Sequence, residues 1–183
     1  MKSEKPKFQI PKSNVLGMAR DFVIRPATPA DAEDIALVHV TSWRETYRGT
    51  LVSEQMLDSP DFLPSRERFW TAALTDQRWA ANRIRIAEDG GTLIGIAMSG
   101  PVHDEEWAHH LYVLYVLAKH HGTGVGTALL NSALDQSESA ALWVGDPVPR
   151  AQAFYRKNGF VPDGTVKVED NIRELRMRRP GSL

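Results

Sequence analysis

The chain has 183 residues, 42% apolar and 25% charged, which is enough for one domain with its own core and no metal or disulfide staple. It has no cysteine, so disulfides, cysteine–metal sites and a cysteine nucleophile are excluded, and a cytoplasmic location is expected. The net charge is −1, with +4 on residues 1–20 (five Lys/Arg, one Glu) and −5 on the remainder, so the overall basic footprint of a nucleic-acid binder is missing.

Val15-Leu16-Gly17-Met18-Ala19 is too short for the apolar stretch of a signal peptide, and no long apolar run follows, so no membrane partner is expected. Residues 1–20 read as a flexible extension and 21–183 as a single domain, with residues 1–17 dispensable for folding. Should they prove essential, a docked arm in a homodimer is the expected reason.

Phe22-Val23-Ile24-Arg25 is a β-rich run. Thr28 and Pro29 then supply an N-cap and a first helical residue for a helix from Ala30 to about Tyr47, stopped by Gly49. Two helical pieces, Ser53 to Asp58 and Ser65 to Leu74, are expected between breaks at Pro60 and Pro64. Arg83 to Ala87 alternates polar and apolar, Asp89-Gly90-Gly91 makes a turn, and Thr92 to Met98 returns as a second strand. His110 to Leu117 is a dense apolar run suited to a central strand. After a glycine-rich turn, Val125 to Leu134 has helical spacing. Ala140 to Val144 is a buried strand, Pro149 opens a helix that stops at Gly159, and two strands near Thr165–Val168 and Ile172–Met177 flank a turn at Glu169-Asp170-Asn171. The order implies an α/β fold: a mixed sheet flanked by helices with one strand–turn–helix crossover.

That crossover carries the chemistry. His121-Gly122-Thr123-Gly124-Val125-Gly126 ends a strand and opens a helix, so free backbone N–H groups and the helix dipole favour an anion there. Gly122, Gly124 and Gly126 allow close backbone approach to a diphosphate, Thr123 or Thr127 offers a hydroxyl, and His121 a side-chain donor. A dinucleotide fingerprint fails because Thr127 stands where the third glycine is required, and a P-loop fails for want of Gly-Lys-Ser/Thr. A glycine turn that merely ends a strand fits the same residues.

Leu114-Tyr115-Val116, followed by Gly122-Thr123-Gly124-Val125-Gly126-Thr127-Ala128-Leu129-Leu130, resembles the acetyl-CoA motif of the GNAT acetyltransferase superfamily, with His121 where Gln or Arg is usual. Arg150-Ala151-Gln152-Ala153-Phe154-Tyr155-Arg156-Lys157-Asn158-Gly159-Phe160 resembles that family's later helix, with Val148 where an Asn is usual. The resemblance spans about residues 22–178. It implies a mixed, mostly antiparallel sheet splayed at its centre around acetyl-CoA, and transfer of the acetyl group to a primary amine by direct attack. It also implies an oxyanion donor at the backbone near Val116 and Tyr155 as general acid toward the departing sulfur, with a core tyrosine packed behind Phe154 as the alternative.

The base is open: His110 sits where many family members place a strand Glu, and Glu45 or a water chain are rivals. Arg156, with Arg150 and Lys157, is expected near the ribose phosphate, where a solvated helix face is the alternative. The pairs His109-His110 and His120-His121 argue for no metal, because adjacent strand residues point to opposite faces. Val40, Trp43 and Tyr47 share one face of the first helix, which either packs on the sheet or, since in the resembling family the first helix lines the acceptor cleft, lets Trp43, Glu45 and Tyr47 wall the acceptor pocket; a small-molecule amine is the expected acceptor. A non-catalytic acyl-CoA sensor, a protein N-terminal or lysine acetyltransferase, and a peptide-binding module without CoA are the alternatives.

Overall fold

A computed structural model of the protein describes residues 22–169 and 171–181; the expectations for residues 1–21 lie outside them. Seven strands form one sheet in the order β1-β2-β3-β4-β5-β7-β6. The strands are β1 (Phe22–Pro26), β2 (Arg83–Asp89), β3 (Thr92–Pro101), β4 (His109–Val116), β5 (Ala140–Gly145), β6 (Val161–Glu169) and β7 (Ile172–Arg179). The helices are α1 (Ala32–Tyr47), α2 (Glu54–Leu57), α3 (Phe62–Thr75), α4 (Val125–Ala133) and α5 (Pro149–Lys157). Every neighbouring strand pair is antiparallel except β4–β5.

Local chemistry sets the elements. Thr28 and Asp31 close the entry to α1: the Thr28 N–H and hydroxyl donate to the Asp31 carboxylate at 2.7 and 2.8 Å. Arg25 of β1 grips the same carboxylate at 2.7 and 2.9 Å and reaches Glu88 of β2 at 2.7 Å. That contact holds Asp31 far below the ordinary carboxylate range. Gly90 and Gly91 both have positive φ, as the type I′ form of a two-residue hairpin turn requires. Pro64 does not break a helix as its sequence suggested. It lies in the first turn of α3, where a missing N–H costs no intrahelical bond.

Helices cover both faces. On one, Ile35 and Ala36 of α1 and Trp70 of α3 pack against Ile86, Ile96 and Met98. On the other, Val125 and Leu129 of α4 pack against Ala87 and Ala97, and Tyr155 of α5 joins Leu142, Val144 and Met177. Strands β4 and β5 pair only from His109↔Ala140 to Leu111↔Leu142, although β4 runs on to Val116 and β5 to Gly145. The register on the other side of β4 explains the divergence. Met98 faces Val113 and Ser99 faces Leu111, so Tyr112 is an extra residue. Such a bulge bends and twists its strand, and here it sits where β4 leaves β5.

Candidate active site

The divergence opens a cleft of about 620 Å³ that passes between the strands. Its walls follow from strand alternation. The Leu117 N–H donates to the Ile94 carbonyl, so Leu117 and Ile94 form a bonded pair and Gly95↔Val116 is the next, non-bonded one. The N–H groups of Val116 and Leu114 therefore point away from β3, into the gap.

The glycine turn forms one end. Gly122 and Gly124 have φ of 74° and 94°, values that an L side chain rarely adopts. Gly126 is small for another reason, since a Cβ there would lie 3.3 Å from the Phe154 ring. All three line the cleft with Thr127, beside the first turn of α4. This fits a diphosphate: open N–H groups, close backbone and no carboxylate from the turn. Two residues expected to help are turned elsewhere. The Thr123 hydroxyl donates to the His120 carbonyl at 2.7 Å, and Val125 is buried with Ala87 and Leu129.

His121 is not a free donor. Its Nε2–H donates to the Val116 carbonyl at 2.7 Å, and its Nδ1 accepts from the Arg150 guanidinium. Partial burial, with the Arg150 charge adding, keeps the ring below its ordinary pKa despite the carbonyl contact. The imidazole is thus a neutral bracket that holds Arg150 over the turn. Arg150 and Lys157 line the cleft, whereas Arg156 is exposed and does not, because at helical spacing it projects from another side of α5. Val148, where the resemblance expects Asn, lines the cleft with an apolar side chain.

Tyr155 lies in the middle. Its ring packs edge-on to Phe154 and Phe160. Burial, with the Tyr115 phenol adding, pushes its hydroxyl well above 10, and no hydrogen bond contributes to that shift. It therefore keeps its proton at neutral pH. Tyr115 is pushed to about 12, also by burial.

The far end of the cleft lies on the opposite sheet face. Leu142 and Val144 point to α5, so Trp143 points away from it. Trp143 pairs with Arg176, Gly145 with Glu174, and Glu174 with Lys167, which brings these side chains onto one face across β5, β7 and β6. His110 joins them from β4, its ring 4.9 Å from that of Tyr112. Burial, with Lys167 and Arg176 adding, lowers the His110 pKa to about 4, so the ring is neutral at physiological pH. Strand alternation separates it from His109, whose Nδ1 lies 3.7 Å from Glu138 instead.

The acceptor wall expected from α1 is corrected at two of three positions. Tyr47 lines the cleft, but Trp43 does not. Its ring lies 5.6 Å from that of Phe62, because α3 returns over that side of α1. Glu45 accepts the Ala118 N–H at 2.8 Å, tying α1 to the segment after β4. From α1, Ser42 and Thr46 line the cleft beside Tyr47. Glu174, Lys167 and Trp143 also line the cleft without having been expected there: Glu174 and Lys167 stand in strands whose only signal is polar–apolar alternation, and Trp143 in a run that is apolar throughout.

The match to known proteins agrees with this geometry. Residues 38–160 match the acetyltransferase (GNAT) family. The chain is 33% identical over 145 residues to a Mycobacterium tuberculosis protein named Probable N-acetyltransferase Rv2775, covering 77% of this chain and 80% of the relative. It is 26% identical over 166 residues to Uncharacterized N-acetyltransferase YuaI of Bacillus subtilis, covering 86% and 90%. The fold resembles that of PaiA N-acetyltransferase from Thermoplasma acidophilum, solved in complex with coenzyme A, with a TM-score of 0.67 at 21% identity over 88% of this chain and 99% of that one. Sequence, sheet topology and cleft thus agree: the chain belongs to the GNAT family of N-acetyltransferases.

Proposed function

We propose that the protein transfers the acetyl group of acetyl-CoA to the primary amine of a small molecule by direct attack. The observation that carries this reading is the separation of β4 from β5 beyond Leu111 and Leu142, which turns the Leu114 and Val116 N–H groups into a cleft that ends at the α4 N-terminus. Gly122, Gly124, Gly126 and Thr127 would hold the diphosphate, with Arg150 and Lys157 as nearby cations. The structural relative that binds coenzyme A supports the same choice of ligand.

Acetyl-CoA supplies an activated thioester. The Leu114 and Val116 N–H groups are positioned to meet negative charge developing on a carbonyl oxygen. Tyr155 holds a proton that it can deliver to a leaving sulfur. His110 is unprotonated above about pH 4 and can accept a proton from the amine, directly or through water. Ser42, Thr46 and Tyr47 wall the acceptor side.

Calorimetry with acetyl-CoA tests the binding half. Turnover with an amine panel, followed by release of thiol, tests the chemistry, and the absence of cysteine leaves no protein background in that assay. Binding without turnover on any amine would favour the acyl-CoA sensor, and no binding would refute the reading.

A further inference from the structure

The acceptor side of the cleft already contains an ammonium ion, and it belongs to the protein. The Lys167 Nζ lies 4.9 Å from the centroid of the Trp143 ring and 2.9 Å from a Glu174 oxygen. All three residues line the cleft, on the sheet face opposite α5. An aromatic face with a carboxylate beside it is a general receptor for an organic cation, and its attraction grows as water is excluded. A lysine head is chemically a primary alkylammonium, the class to which an amine acceptor belongs before it loses its proton.

We propose that Trp143 and Glu174 form an ammonium subsite for the acceptor, and that Lys167 fills it until a cationic acceptor displaces it. This rests on the acetyl-transfer reading for the use of the cleft. The exchange has a second position ready for Lys167. Its Nζ also lies 3.1 Å from Glu169, which is 71% exposed and is not among the lining residues, so Lys167 can leave Glu174 and keep a carboxylate partner. A second cation borders the same ring: the Arg176 guanidinium carbon lies 5.8 Å from the Trp143 centroid, tethered there by Asp163 at 2.6 Å from its Nε and Thr165 at 2.8 Å from its Nη2. With Lys167 on Glu169 and Arg176 held by Asp163, the subsite offers the Glu174 carboxylate and the Trp143 ring face, with Arg176 at its border. It therefore selects an alkylammonium and disfavours an acceptor that carries its own carboxylate.

The test is calorimetric titration of 1,4-diaminobutane, and separately of 4-aminobutanoate, into protein saturated with desacetyl coenzyme A, where no turnover occurs. The diamine should bind more tightly than the amino acid. Lys167→Met keeps the apolar stem and removes the ammonium, and should tighten diamine binding by about 3- to 10-fold, as expected if Lys167 fills the subsite about two-thirds to nine-tenths of the time. Glu174→Gln and Trp143→Leu should each weaken it by about 10-fold or more. Two independent partners are tested so that one misfolded variant does not decide the outcome. Unchanged or weaker diamine binding in Lys167→Met, or equal binding of 4-aminobutanoate by the wild type, overturns the subsite. Failure of coenzyme A itself to bind overturns instead the acetyl-transfer reading on which it rests.

Discussion

Removing one oxygen atom from Tyr155 separates its chemical role from its packing role. The ring of Tyr155 is part of the cluster with Leu142, Phe160 and Met177, and Phe would fill the same space. Among the described residues none hydrogen-bonds its hydroxyl, so Tyr155→Phe breaks no such contact in the fold. Stability should stay within about 0.5 kcal/mol of the wild type, which for a domain of this size keeps Tm within about 2 °C. If the phenol delivers the proton to the leaving sulfur, kcat should fall by about 10²- to 10³-fold, equivalent to about 2.7–4.1 kcal/mol of barrier. The KM for acetyl-CoA should change little, because the glycine turn proposed to hold the diphosphate lies at one end of the cleft and Tyr155 at its middle. The assay is steady-state thiol release beside a thermal melt, with a pre-steady-state trace to show that chemistry limits the rate. An unchanged kcat under that condition would return Tyr155 to the core. A lower kcat with a melt shifted by many degrees would refute the argument that its hydroxyl has no structural partner.

Gly124→Glu should abolish acetyl-CoA binding by calorimetry, since it places a side chain at a φ of 94° and a like charge at the diphosphate. His121→Ala should weaken acetyl-CoA binding by less, about 3- to 10-fold, and combining it with Arg150→Ala should add little because the imidazole acts by holding the guanidinium. Glu45→Gln should leave the acceptor KM unchanged and accelerate hydrogen exchange at the Ala118 amide, its partner in the fold. His39 is 4% exposed, accepts the Trp70 indole N–H at 3.2 Å, and is lowered by burial to about 3. Its folded pKa lies below the ordinary 6.5, so protonation favours the unfolded chain. Stability should fall as pH drops from about 6.5 toward 3, by up to about 1.4 kcal/mol per unit from this group, and His39→Phe should flatten that slope in urea melts.

Local sequence determined the elements and the glycine-rich turn before α4. Gly90-Gly91 specified a hairpin because both positions need positive φ, and Gly122 and Gly124 specified the turn before α4 for the same reason. Pro149 and Gly159 bracketed α5, whose following glycine has a φ of 85°. These are restrictions within a few bonds, so they can be read from a few residues. The placement of Trp43 was different. Spacing puts Val40, Trp43 and Tyr47 on one face of α1, but it does not say what covers that face, and Val52, Leu57 and Phe62 cluster with it, the Phe62 ring 5.6 Å from that of Trp43. Only the sheet order decided that Trp143, Glu174 and Lys167 meet, because β7 inserts between β5 and β6. The cleft itself depends on Tyr112 being one residue too many opposite β3. A dense apolar run carries no mark of such a bulge, since register belongs to a pair of strands rather than to either one alone.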